Sequence, residues 1–179
     1  MLVRPITKEE RLQSAQLFAI AFESPFDPND LTPFAENPCI WAAFDEESGE
    51  MMSTVYVTDY RVQFDGGRYK MGGIGGVASL PQYRRAGGIR ACFQKALPIL
   101  YREGYVFSYL YPFSTAYYRK FGYESCVQRY LAVLDLRQPR PAEFSGSFRL
   151  ARGGDMLLPA IRQLDERWEA QYNMMVQHA

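Results

Sequence analysis

The stretch "GGIGGVASLPQYRRAGGIRACFQKAL", Gly72 to Leu97, places six glycines and three arginines across a strand-like run, a single proline and a helix-like run. Two glycine readings compete in it. "GIGGVA", Gly73 to Ala78, formally matches the G-x-G-x-x-[GA] pattern of dinucleotide sites. That pattern must open a helix directly after its strand and wants an acid about 20 positions further on. Here Val77 to Pro81 continue the strand, the later window offers Lys95 and Ala96, and no G-K-[ST] follows. Gly72 to Gly76 therefore read better as a strand bent by a bulge or approached closely by another backbone. The second half differs. Arg84-Arg85-Ala86-Gly87-Gly88 leads straight into a helix, where glycine lets N–H groups approach an anion and the helix start adds orphan donors and a positive dipole. Spacing alone leaves a pyrophosphate site and a plain turn with solvated arginines level.

Working outward, "LVRPIT" reads as a strand, and Thr7 with Glu10 forms a capping-box pattern for a helix carrying Leu12, Ala15, Ala19 and Phe22 on one face. A loop rich in Pro, Asp and Asn follows. "CIWAAFDEE", "MMSTVYVTDYRVQFD" and "RYKMGGIGGVASL" are strands joined by short turns, an antiparallel meander. Ile89, Cys92, Phe93, Ala96, Leu97 and Leu100 fall at helical spacing, with Gly104 as the stop and Pro98 predicting a kink or break. "YVFSYLY", apolar on both faces, predicts a central strand. "STAYYRKFG" predicts a short helix with Ser114 as N-cap, and "ESCVQRYLAVLDL" a last strand. The order is β-α-β-β-β-α-β-α-β, an α/β (α+β) fold with a mixed, mostly antiparallel central sheet flanked by helices.

Composition narrows the function classes. Of 179 residues, 47% are apolar, enough for a real core, and twenty acidic residues balance twenty basic ones. Nucleic acid and membranes are therefore not expected partners. No run is long enough to span a bilayer and "MLVRPITKEE" is no signal peptide, so a cytoplasmic protein is expected. Cys39, Cys92 and Cys126, odd in number and far apart, read as reduced core residues. The single histidine, His178, leaves no basis for a histidine triad or a His-rich metal site.

The segment V-A-S-L-P-x-Y-R-R-A-G-G-I-R-A resembles motif A of the GNAT superfamily of acetyl-CoA-dependent N-acetyltransferases, with Arg84 and Gly87 in the motif positions. Ile89 followed by Arg90, and "AYYRKFGYE" at Ala116 to Glu124, are similar to the Eis-type branch (enhanced intracellular survival acetyltransferases). The resemblance covers about Met1 to Leu136 and implies the GNAT fold, acetyl-CoA as cosubstrate and no metal. It places Val77, Ala78 and Ser79 on the acetyl oxygen and pantetheine arm. Arg84, Arg85, Gly87, Gly88 and Ile89 would hold the pyrophosphate, with Ser114 also on the cofactor side. It points to Tyr118 as the acid that protonates the leaving thiolate. On the short helix Tyr117 and Phe121 share a face, so Tyr117 is the expected core residue and Tyr118 the one facing a cleft.

The acceptor is expected to be a small-molecule primary amine: an aminoglycoside, a polyamine or a lysine-like group. Glu23, Asp27 and Asp30 would suit a cationic amine, although each also fits as a turn former beside Pro25 and Pro28. Residues 1–140 read as the acetyl-CoA-binding domain. Residues 141–179 read as a linker, a strand and a helix with Asp155 near its start and Leu157, Leu158, Ile161, Leu164, Trp168 and Tyr172 along one face. Eis-type proteins continue into a second acetyltransferase-like domain that opens in this way. The resemblance thus implies a fragment that lacks the branch's terminal carboxylate base, and a homo-oligomer for the full-length protein. A non-catalytic acyl-CoA-binding or regulatory module stays open beside the enzyme.

Overall fold

The computed structural model describes residues 1–29, 39–128, 131–133, 135, 147, 150 and 156–177. The chain forms two compact units, Met1–Phe113 with Glu169–Ala179, and Ser114–Trp168. The first holds a six-stranded sheet: β1 (Leu2–Pro5), β2 (Cys39–Phe44), β3 (Met51–Phe64), β4 (Gly67–Ser79), β5 (Tyr105–Leu110) and β6 (Met175–Gln177). The strands run in the order β1-β2-β3-β4-β5. All neighbours are antiparallel except β4 and β5, which are parallel because helix α2 (Gly88–Arg102) crosses over between them. The meander, the crossover and the mixed sheet agree with the reading from sequence.

Strand alternation gives the sheet two apolar faces. On β2, Ala42 and Phe44 pack with Leu17 of helix α1 (Arg11–Phe22), while Ala43 between them meets Gly88 at the start of α2. The buried face of α1 is Ser14, Ala15, Leu17 and Ala19: Ala15 and Ala19 of the expected stripe are buried, whereas its ends, Leu12 and Phe22, are exposed. The polar Ser14 is accommodated because its hydroxyl lies 2.7 Å from the buried Tyr56 hydroxyl. Helix α2 buries Cys92, Phe93, Ala96 and Leu100 and runs unbroken through Pro98, contrary to the expected break. Both Pro98 and Gln94, whose carbonyl loses its helical donor to the proline, are exposed, so water can serve that carbonyl.

Three further expectations change. Strand β5 has β4 on one side and no described strand on the other, so it is an edge among the described residues; Val106 on it is 60% exposed. The described residues of the stretch 124–136 hold no strand; the apolar Val127, Leu131 and Val133 there are all exposed, and the rest of that stretch lies outside the described residues. Of the cysteines only Cys92 is a core residue, its thiol pushed up to about 12 by burial; Cys39 and Cys126 are free and exposed. Asp30, Asp155, His178 and, apart from residues 147 and 150, the strand expected over 147–154 lie outside the described residues. Strand β6 takes the edge of β3 beyond the reach of β2, pairing Arg61–Gln63 with Met175–Gln177.

In the second unit, helix α3 (Thr115–Tyr118) runs into a 3-10 turn (Arg119–Phe121), and helix α4 (Leu158–Glu169) contributes all but its last residue. Leu157, Ile161, Leu164 and Trp168 are exposed.

The start of α1 is held by a charge pair. The helix starts three residues later than the expected capping box placed it, with Glu10 and not Thr7 at its N-cap, although the Glu10 carboxylate still receives the Thr7 backbone N–H at 2.8 Å. It also takes a two-pronged contact from Arg4, 2.7 Å on each oxygen, and the Arg4 guanidinium lies 4.3 Å over the Phe44 ring. The Arg4 hydrogen bonds hold the Glu10 carboxyl down at about 2. A depressed carboxylate stabilises the fold above its unfolded value of 4.5 and loses that contribution as pH falls through about 2. Glu10→Gln should therefore cost about 1 kcal/mol at pH 7, the upper range for a solvent-shared pair. In urea melts the gap to the parent should close as pH is lowered from 4.5 towards 2.

Candidate functional site

The site begins where β4 and β5 part. Their pairing runs from Lys70 with Tyr105 to Ile74 with Leu110, and β5 ends there. Strand β4 continues to Ser79, so its last residues have β3 on one edge and no described strand on the other. The separation coincides with a bulge. Thr54 pairs with Ala78 and Tyr56 with Gly75, so Val55 alone stands opposite Gly76 and Val77. A bulge of this kind bends its strand and sharpens the local twist. The Thr54 hydroxyl donates to the Gly76 carbonyl at 3.0 Å, and the Tyr56 ring lies against Gly76 where a Cβ would come within 2.5 Å of it. The bend expected for the glycine run is therefore present, and its consequence is an open edge of main-chain donors and acceptors at Val77–Ser79.

Beyond the edge the chain is tied down and then turned. Leu80 N–H donates to Met52 O at 3.0 Å, and the Ser79 and Ser53 hydroxyls are 2.6 Å apart. A 3-10 turn, Pro81–Tyr83, leads to an extended Arg84. Arg85 then takes φ +68° and Gly87 φ +88°. A non-glycine residue in the left-handed region is uncommon and stores strain, which marks this turn as over-determined by its surroundings. Within the turn the Arg84 N–H donates to Pro81 O at 3.3 Å and the Ala86 N–H to Tyr83 O at 3.2 Å, so its own main chain is largely committed and the donors left for an anion lie mainly at the helix start. Helix α2 follows at once. Ala91 N–H is bonded to Gly87 O, which leaves the N–H groups of Gly88, Ile89 and Arg90 outside the helical ladder.

The side chains agree with that use. Arg84, Arg85 and Arg90 are exposed, and among the described residues none pairs with a carboxylate. Ala78 and Gly88 are buried and Ser79 is engaged with Ser53, so these three offer only main chain to a ligand. Gly88 is required by close approach: a Cβ there would fall 2.5 Å from Ser53 Oγ and 2.9 Å from Ser53 Cβ. Gly88→Ala should push the first turn of α2 off the sheet, cost about 1–3 kcal/mol as overpacking does, and lower the thermal midpoint. The partner in that contact, Ser53, was passed over in the sequence because nothing local singles out a serine thirty-five positions before the helix.

Val77, Ala78, Ser79, Arg84, Arg85, Gly87, Gly88 and Ile89 are thus gathered within the first unit, on one strand end, one turn and one helix start. Ser114 and Tyr118 belong to the second unit. Ser114 caps α3, its hydroxyl accepting the Tyr117 N–H at 3.3 Å. Tyr118 is only 4% exposed, with Tyr117 the more open of the two, the reverse of the expected faces. Behind the single-turn helix the chain folds back, Tyr123 N–H donating to Tyr118 O, and brings the Tyr123 ring 6.3 Å from that of Tyr118. Tyr117 does stack on Phe121, 5.6 Å away, as its spacing implied. Burial, with Tyr117 and Tyr123 adding to it, pushes the Tyr118 hydroxyl up to about 12. Of the acidic loop, Asp27 forms a turn through the Asn29 N–H at 2.8 Å.

The family model of the acetyltransferase (GNAT) domain matches residues 2–126, and the chain therefore belongs to that family. No curated protein matches the sequence. Among solved structures it is similar to a conserved protein of Enterococcus faecalis V583, described as a probable N-acyltransferase, at 35% identity and a TM-score of 0.63 over 69% of this chain and 32% of that one. Eis1 from Mycobacterium abscessus is 19% identical over the same shares, with a TM-score of 0.60. An acetyltransferase of Trypanosoma brucei is 18% identical over 74% of this chain and 99% of that one, also with a TM-score of 0.60. The last two show the fold alone. The matched part of this chain spans about a third of the Enterococcus protein.

Proposed function

We propose that the chain is an Eis-type N-acetyltransferase domain that moves acetyl from acetyl-CoA to a primary amine by direct attack. The observation that carries the reading is the open end of β4 running into a turn of arginines, paired with no described carboxylate, at a helix start. Main-chain N–H groups at Val77–Ser79 suit the pantetheine amides and the developing oxyanion, and donors preorganised for such charge are the largest single contribution to acyl transfer. The first N–H groups of α2, Arg84 and Arg85 suit a pyrophosphate. The amine nitrogen attacks the thioester carbon, and the tetrahedral intermediate expels the thiolate. Tyr118 supplies the thiolate's proton, the attacking nitrogen releases its own to water, and a proton returned from water restores the Tyr118 phenol. A cationic acceptor such as a polyamine, an aminoglycoside or a lysine side chain fits this chemistry.

The test is thiol release from acetyl-CoA with a panel of polyamines, lysine-containing peptides and aminoglycosides. Release that requires an amine and yields the N-acetylated product is expected. Tight CoA binding with no release for any amine would establish instead a non-catalytic acyl-CoA-binding module.

A further inference from the structure

Strand β3 is preceded by a turn, residues 45–50, that is unusually well fastened. Asp45 Oδ1 accepts the N–H groups of Glu47 at 3.0 Å and Ser48 at 2.9 Å, and the Ser48 hydroxyl at 3.0 Å. Asp45 N–H donates to Glu50 O at 2.9 Å, and Glu50 N–H to the Ser48 hydroxyl at 3.2 Å. From this fixed base the Glu50 carboxylate reaches across to the 3-10 turn that follows β4. Its Oε2 accepts the Tyr83 hydroxyl at 2.7 Å, and its Oε1 accepts Gln82 Nε2 at 3.4 Å. Tyr83 O in turn accepts the N–H of Ala86, closing the turn that contains Arg84 and the strained Arg85.

We propose that Glu50 is a positioning residue for the pyrophosphate turn, acting through the Tyr83 hydroxyl to hold Arg84, Arg85 and the Gly87–Gly88 backbone in their anion-binding geometry. The inference rests on the acetyl-CoA reading of the site. Three ties join residues 50–53 to residues 79–83: Ser53 with Ser79, Met52 O with Leu80 N–H, and Glu50 with Gln82 and Tyr83. The first two fasten the end of the strand. Only the third lies beyond Pro81, at the residue directly before the arginines. A left-handed Arg85 persists only while its surroundings hold it, and the Glu50–Tyr83 hydrogen bond is a side-chain restraint two residues before it.

The experiment measures CoA by calorimetry and pantetheine, which lacks the pyrophosphate, by NMR titration, on the whole chain. Tyr83→Phe and Glu50→Ala should each weaken CoA by about 10-fold, the scale of one hydrogen bond to a charged group. Pantetheine binding should not change, and Glu50→Gln, which keeps an acceptor for Tyr83, should recover most of the CoA affinity. In an Arg84→Ala, Arg85→Ala background Tyr83→Phe should cost nothing further. Parent-like CoA affinity in both Tyr83→Phe and Glu50→Ala overturns the proposal. So does an equal loss of CoA and pantetheine, or an undiminished loss in the background without arginines, since each would mark a merely structural contact. A parent chain that binds pantetheine and not CoA, or neither, overturns the acetyl-CoA reading itself and this inference with it. If Tyr83→Phe melts early, Glu50→Ala carries the same test from the other side.

Discussion

Replacing Arg84 and Arg85 together with alanine weakens CoA binding by about 10²-fold or more in calorimetry while leaving the thermal midpoint almost unchanged. Each charge-assisted hydrogen bond to an anion contributes about 1.5–3 kcal/mol. Two such losses give about 3 kcal/mol at the low end, and each 1.4 kcal/mol is tenfold. Stability is spared because both side chains are exposed and pair with no described carboxylate, so the fold loses neither packing nor an ion pair. The loss should shrink as salt is raised, since the parent's advantage is electrostatic and partly solvent-exposed. Pantetheine should bind parent and variant alike. Unchanged CoA affinity in the double variant, at low salt, would remove the pyrophosphate from this turn and leave the arginines as ordinary solvated side chains.

That turn was legible because its signals are local. The change from a glycine-broken strand to helical spacing at Ile89, Cys92, Phe93 and Ala96 lies within one window, and the crossover it implies makes β4 and β5 parallel. The support for the turn was not legible. Ser53 under Gly88, Tyr56 over Gly76 and Glu50 on Tyr83 join residues 20 to 35 positions apart, and no periodicity encodes which serine or glutamate a register will bring opposite a given glycine. The same blindness misread part of the face of α1, where Ala15 and Ala19 are buried as their spacing implied. Apolar counting favoured Leu12 and Phe22, whereas Ser14 is buried because a tyrosine hydroxyl forty-two positions away satisfies it. Helix rules failed in the opposite direction at α3. Spacing by 3.6 residues assigns faces to a helix several turns long, and in a single turn the next reversal decides which ring is covered. Pro98 was misjudged for a related reason: its cost is the orphaned carbonyl of Gln94, and that cost is small on a wet face.

The burial of Tyr118 sharpens the test of its role. An unburied phenol titrates near 10, and this one is held at about 12, so it stays a proton donor through the whole range in which amines become nucleophilic. Thioester aminolysis needs the amine neutral, which pushes the working pH up. The raised pKa keeps the donor protonated when the acceptor is ready, and it also makes the phenol a weaker acid, further from the operating pH that suits a general acid. Tyr118→Phe should therefore lower kcat by about 10²-fold or more, the scale for a positioned general acid, with CoA affinity intact. The fall should be uniform from pH 7 to pH 9, because the parent phenol does not titrate there. The same substitution should change alkaline stability in a definite direction. A tyrosine whose proton is held more tightly in the folded state stabilises fully below its unfolded pKa and loses that contribution as pH climbs from 10 to about 12. The parent should lose stability across that window and the phenylalanine variant should lack this part of the slope. A variant that lacks the slope yet turns over at the parent rate has lost the right hydroxyl and shown it to be a core group, and the acid must then be sought at Tyr117 or Tyr123, whose rings lie 5.2 Å and 6.3 Å from it.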